Sequence, residues 1–148
     1  MPHLVILYTP NLDKPEAQGG IDMGRLCRVL CDAMLAVRDE ADKQVFPTGG
    51  TRVLAYPAAH SAIADGGAAG IAGGAGGDYA FVYMNVRMAQ GRSALTHQRV
   101  GDALQACVKS HFAAQLAARP IGITVQVDEG HEVFDGKTSS LHPLFNRG

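Results

Sequence analysis

Two stretches of this chain repeat apolar residues at helical spacing, and each is bracketed by short runs with the period of a strand. Over residues 22–41, Leu26, Val29, Leu30, Ala33 and Val37 recur at three- and four-residue intervals and mark one helical face. The run LVILY precedes it, with a strand over 5–8 stopped by Thr9-Pro10. TRVLAY follows the FPTGG turn as a second strand, ending before Pro57. In DYAFVYMNVRMA the pattern returns. Ala80, Val82, Met84 and Val86 alternate with Phe81, Tyr83, Asn85 and Arg87, the period of a strand. Gln90-Gly91-Arg92 turns the chain, and Ser93 is placed to cap a second helix running to about Ala118. Val100, Leu104, Cys107, Val108, Phe112 and Leu116 share one side of it, and Pro120 stops it. IGITVQV alternates as a fourth strand.

Each half is therefore a βαβ unit whose crossover helix is long enough to bring the chain back for a parallel partner. Two such units side by side predict an α+β, two-layer fold: a four-stranded sheet with both helices on one face. The other face is left bare and must be buried by something. The chain's 148 residues fit one domain. It divides into a βαβ unit over 3–57, a glycine-rich insertion over 65–77, a second unit over 78–128 and a tail over 129–148, irregular until 141–145. In the run GGAAGIAGGAGG, seven of twelve residues are glycine and none is charged. No G-K-[ST] closes it, so it is not a phosphate loop; it reads as a flexible surface insertion.

Charged residues make up 18% of the chain against roughly 25% in ordinary domains, and hydrophobic residues 47%. A chain so sparing of charge either has a large core for its size or covers part of its surface by association, and the second reading, a homo-oligomer, is the expectation. A net charge of −1 supplies no basic footprint for nucleic acid. No apolar run approaches the ~18 residues of a membrane span, and the N-terminal stretch lacks a signal-peptide pattern. With three cysteines and no disulfide framework, a cytoplasmic, reduced setting is the expectation.

Chemistry rests on three residues. Pro2 has no backbone N–H, so it can open a strand but not sit inside one. Removal of Met1 would turn its ring nitrogen into a free secondary amine, a base on a rigid ring at the mouth of a strand. Proline at position two is also common with no catalytic meaning. Arg52 follows GGT at the start of the second strand, and Arg92 lies in the turn QGRS before the second helix. A guanidinium grips a carboxylate bidentately and keeps its charge, so a base between two such clamps suits a small di- or tricarboxylate. Either arginine, alone, reads as solvated surface. The six histidines show no metal-binding spacing, Cys27 and Cys31 lack the second ligand pair of a zinc site, and no Gly-x-Ser-x-Gly elbow is present. Core packing is the expected role of Cys31 and Cys107.

The stretches MPH, FPTGGTR, DYAFVYMNVRMAQGRS, KSHFAA and LHPLF resemble the 5-carboxymethyl-2-hydroxymuconate isomerase family of the tautomerase superfamily. Over 78–145 the family pattern lies on the chain without a gap. The resemblance implies a homotrimer whose sheets enclose a central channel, and cofactor-free isomerisation in homoprotocatechuate catabolism. It also implies that Pro2 is the catalytic amine and that Arg52 and Arg92 bind the substrate. The chain is longer than its relatives between Tyr8 and Phe46 and in the glycine run. A 2-hydroxymuconate tautomerase, or a non-catalytic trimeric small-ligand-binding protein, therefore stays open. Lys137 matches a family lysine and reads as solvated surface.

Overall fold

In the computed structural model, which describes residues 3–145, the first strand is internal to the sheet. Strands β1 (His3–Tyr8), β2 (Arg52–Pro57), β3 (Ala80–Ala89) and β4 (Ile121–Gly130) are ordered β2-β1-β3-β4. β1 pairs parallel with β2, and β3 parallel with β4, so each half is a βαβ unit as its sequence order requires. The halves join through the antiparallel β1–β3 ladder, in which His3 faces Arg87 and Tyr8 faces Val82.

Alternation decides the two faces. Leu4, Ile6 and Tyr8 of β1, with Val82, Met84 and Val86 of β3, are buried. They pack with Leu26, Leu30 and Met34 of α1 (Met23–Ala36) and with Val100, Leu104 and Val108 of the second long helix, Ala94–His111. Leu7, Leu54 and Tyr56 stay 43–49% exposed on the opposite face. The sheet is thus covered by helices on one side only, the two-layer arrangement expected.

Helix boundaries follow local hydrogen bonding more closely than apolar spacing. Asp22 caps α1, its Oδ1 accepting from the Arg25 amide at 3.0 Å. The helix ends at Ala36, five residues short of the sequence reading. The Asp39 carboxylate takes the amides of Ala41 and Lys43 at 2.9 and 3.0 Å, giving the backbone a turn in place of further helix. Buried Val37 then meets Val45, whose amide donates to the Val37 carbonyl at 3.1 Å.

The glycine run also departs from expectation. It folds into a closed knob containing a short helix, α2 (Ala68–Ala72). The Asp65 carboxylate accepts from Gly67 and Ala69, and the Tyr79 hydroxyl accepts from the Gly70 amide at 2.9 Å. A Cβ on Gly70 would fall 2.0 Å from the Gly76 carbonyl oxygen, so the glycines permit backbone to pack on backbone.

The second long helix, α3 (Ala94–His111), is capped as the sequence foretells: Ser93 Oγ accepts from the Thr96 amide at 3.1 Å. It does not run unbroken to 118. A new turn, α4 (Ala113–Ala118), starts at Phe112 and changes which side faces inward. Gln115 is buried and donates to the Gly20 carbonyl at 2.9 Å, while Leu116, expected on the buried side, is 49% exposed. Cys27 and Cys107 pack at the margin of the core. Cys31, read as a core residue, is half-buried and lies outside that cluster.

Candidate active site

Arg52 opens β2 directly after the 3-10 turn Thr48–Gly50. Its Nη1 donates to the Gly50 carbonyl at 3.1 Å, so the turn that delivers the residue also orients its guanidinium. Gly49 in that turn is buried beneath the C-terminal 3-10 turn His142–Leu144. A Cβ there would lie 3.1 Å from the Phe145 ring and 3.4 Å from His142 Cα. Arg92 follows Gly91, whose φ of 98° makes the turn after β3 one that glycine adopts readily. The Arg92 Nη2 donates to the Val45 carbonyl at 3.0 Å.

The two arginines line adjoining hollows at one end of the sheet. Arg52, His3 and Arg87 line a hollow of about 420 Å³ together with Glu132, Asp135 and Lys137 of the tail. Arg92 lies in a hollow of about 400 Å³, walled by Val45, Phe46, Pro47 and Met88. Lys137 belongs to both. The first hollow is polar and the second largely apolar, and a charged tail lies between them. Pro2 lies outside the described residues; His3, bonded to it in the chain, begins β1 at this same end. A further hollow, near Thr9, Asn11 and Tyr79, lies at the opposite end of β1 and is lined by no cation among the described residues.

Electrostatics in the first hollow disfavour additional positive charge. Burial, and then the Arg52 guanidinium, hold the His3 imidazole below its usual pKa. The Lys137 ammonium pairs with Asp135 at 2.6 Å and keeps that carboxyl below its usual range. Beside the second hollow, the Lys43 amide is the main cause of the lowered Asp39 pKa, with Arg92 adding to it. Burial raises the thiols of Cys27 and Cys107, remote from this end. What the hollows offer is fixed positive charge beside apolar wall, suited to an anionic small molecule with an apolar skeleton.

The family model of 5-carboxymethyl-2-hydroxymuconate isomerase matches residues 2–145. The chain belongs to that family. A crystal structure of a 5-carboxymethyl-2-hydroxymuconate delta-isomerase is 53% identical, covering 100% of this chain and 95% of that one, with a TM-score of 0.93. A 5-carboxymethyl-2-hydroxymuconate isomerase from Deinococcus radiodurans R1 is 31% identical over 99% of this chain and 95% of its own, with a TM-score of 0.76. The 5-carboxymethyl-2-hydroxymuconate Delta-isomerase of Escherichia coli is 34% identical over 68 residues, 46% of this chain and 54% of that protein. The chain thus aligns with about half the length of that relative.

Two residues at this end were not singled out from sequence as site residues. Lys137, read as solvated surface, stands between the two hollows, its side chain 46% exposed. Arg87 is an outward member of the β3 alternation, followed outward by Ala89, and stands across β1 from Arg52. The available signal for Arg87 was a lone charge in an otherwise uncharged outward row of Phe81, Tyr83, Asn85 and Ala89.

Proposed function

We propose that this family member is a cofactor-free isomerase that converts 5-carboxymethyl-2-hydroxymuconate from its dienol to the conjugated enone, with the Pro2 amine as the proton carrier. The observation that carries the reading is the convergence of Arg52 and Arg92 on adjoining hollows at the end where β1 begins. Pro2 takes the proton from the 2-hydroxyl and returns one to C5, so the double bonds shift and no net proton is consumed. Arg52 and Arg92 hold carboxylates and stabilise the negative charge that builds on the oxygen.

A free α-amine titrates near pH ~8, and proline's secondary amine is intrinsically somewhat more basic. Burial and the Arg52 field lower the His3 pKa; enclosure among apolar groups and cationic arginines is what would lower an amine's pKa toward neutrality. A base poised near the working pH is what proton shuttling requires. The apolar wall of Phe46, Pro47 and Met88 accommodates the diene carbon chain.

The open sheet face supports a homotrimer. Leu7, Leu54 and Tyr56 form an apolar patch on the side that helices do not cover, and Val133 and Phe134 of the tail are 97% and 88% exposed. Covering these surfaces with copies of the same chain accounts for the low charge content. Two further readings are kept distinct by substrate: a 2-hydroxymuconate tautomerase, and a binding protein without turnover. Ultraviolet assay of 5-carboxymethyl-2-hydroxymuconate beside 2-hydroxymuconate separates them. Faster turnover of the first supports the proposal, and turnover of neither overturns it in favour of the binding protein.

A further inference from the structure

The substrate of the proposed reaction carries three carboxylates, one more than Arg52 and Arg92 account for, and a third guanidinium, Arg87, lines the hollow of Arg52. The β1 register sets His3 between Arg52 of β2 and Arg87 of β3. With strands spaced about 4.8 Å apart, the two arginine backbones stand roughly 10 Å apart across the start of β1. On β3, Val82, Met84, Val86 and Met88 are buried under the helices, which leaves Arg87 on the open face.

The course of its side chain is set by Gly130. A Cβ at that position would lie 1.7 Å from Arg87 Nε and 2.3 Å from its Cζ, so the guanidinium rests directly on the glycine backbone. Gly130 pairs with Ala89, two residues beyond Arg87 along β3. Because β3 runs antiparallel to β1, that direction leads past His3, toward the end of the sheet where β1 begins. An arginine that was merely solvated would need no such seat.

Three carboxylates lie near this hollow. Asp128, opposite Arg87 in the β3–β4 ladder, accepts from the Asn85 side-chain amide at 2.7 Å, Asp135 is held by Lys137, and Glu132 lines the hollow itself. Among the described residues Arg87 makes no ion pair. The Lys137 charge is offset by Asp135 and the His3 imidazole is held toward its neutral form. Beside Arg52, Arg87 therefore gives this hollow a second guanidinium to meet an added anion, in competition with the Glu132 carboxylate.

Resting on the isomerase reading above, we propose that Arg87, seated on Gly130, binds the carboxylate of the 5-carboxymethyl arm and so selects the tricarboxylate over 2-hydroxymuconate-type dicarboxylates. Titration calorimetry with two unreactive saturated skeletons, hexanedioate and 2-(carboxymethyl)hexanedioate, tests this without requiring turnover. The wild-type chain binds the tricarboxylate at least about tenfold more tightly, the scale of one hydrogen bond to a charged group. Arg87→Gln brings that preference to within about twofold. Gly130→Ala, which keeps every charge but occupies the seat, reduces it in the same direction, and Arg87→Lys restores part of it at most. Circular dichroism establishes that each variant is folded. An unchanged preference in Arg87→Gln would overturn the assignment, as would equal weakening of both ligands, the mark of a general field. Failure of the wild-type chain to turn over the muconate is a separate result that removes the isomerase reading and leaves the calorimetric preference intact.

Discussion

Arg92 reaches back 47 positions to donate to the carbonyl of Val45 at 3.0 Å, which ties the turn after β3 to the segment that leads into β2. The guanidinium is thereby held against an apolar wall, where a carboxylate partner is poorly hydrated and the paired interaction gains strength. Arg52, by contrast, sits on a ladder position beside His3, the residue that follows the proposed base in the chain.

This difference predicts a kinetic division. Arg92→Ala raises KM for 5-carboxymethyl-2-hydroxymuconate with kcat little changed, because its clamp serves ground and transition states alike. Arg52→Ala lowers kcat, because it meets charge that develops on the oxygen. Lysine at either position recovers little, since an ammonium cannot reproduce the fork. Steady-state kinetics of the four variants check this; the reverse assignment of KM and kcat effects would exchange the two roles.

Leu54, 43% exposed on the uncovered sheet face, reports on association. Leu54→Asp puts a charge into the proposed subunit contact without touching the helix-covered core. Light scattering at micromolar concentration is expected to show three chains for the wild type and a shift toward one for the variant. A wild-type chain that stays monomeric would remove the trimer.

His111 gives stability a pH dependence of known sign. Burial holds its imidazole below the ordinary 6.5, and its Nε2 is buried without a partner among the described residues. The unfolded chain therefore takes up the proton first as pH falls. Stability from the neutral imidazole is whole above 6.5 and is lost as pH drops through the window beneath it. His3 acts in the same direction. Urea unfolding at pH 7 and about pH 5.5 is expected to show a smaller loss for His111→Gln than for the wild type. An equal loss in both would place the pH dependence elsewhere.

The sequence made the architecture legible because its periods are unambiguous: Leu4 and Ile6 alternate, and Leu26, Leu30 and Met34 recur, with no competing pattern. The cap at Ser93 and the positions of Arg52 and Arg92 at element ends were readable for the same reason. Hidden were features set by contacts distant along the chain. The Asp39 turn shortens α1, Gln115 reaches Gly20, and the glycine run closes on Tyr79. Arg87 escaped notice because its seat, Gly130, lies on a different strand. Pro2 was legible only as a chemical possibility, a ring nitrogen whose use depends on what precedes it.

The central claim is that a free Pro2 amine moves the proton, and the measurement that bears on it most directly is the rate of 5-carboxymethyl-2-hydroxymuconate isomerisation by two forms of the chain. One begins at Pro2, and the other retains a residue before it, which makes the proline nitrogen a tertiary amide and no base. Intact mass identifies each form, and light scattering shows whether assembly is the same. The form beginning at Pro2 is expected to be faster by roughly 100- to 10,000-fold, the contribution of a positioned general base. Rates within about threefold of each other, well below that acid–base scale, would contradict the account.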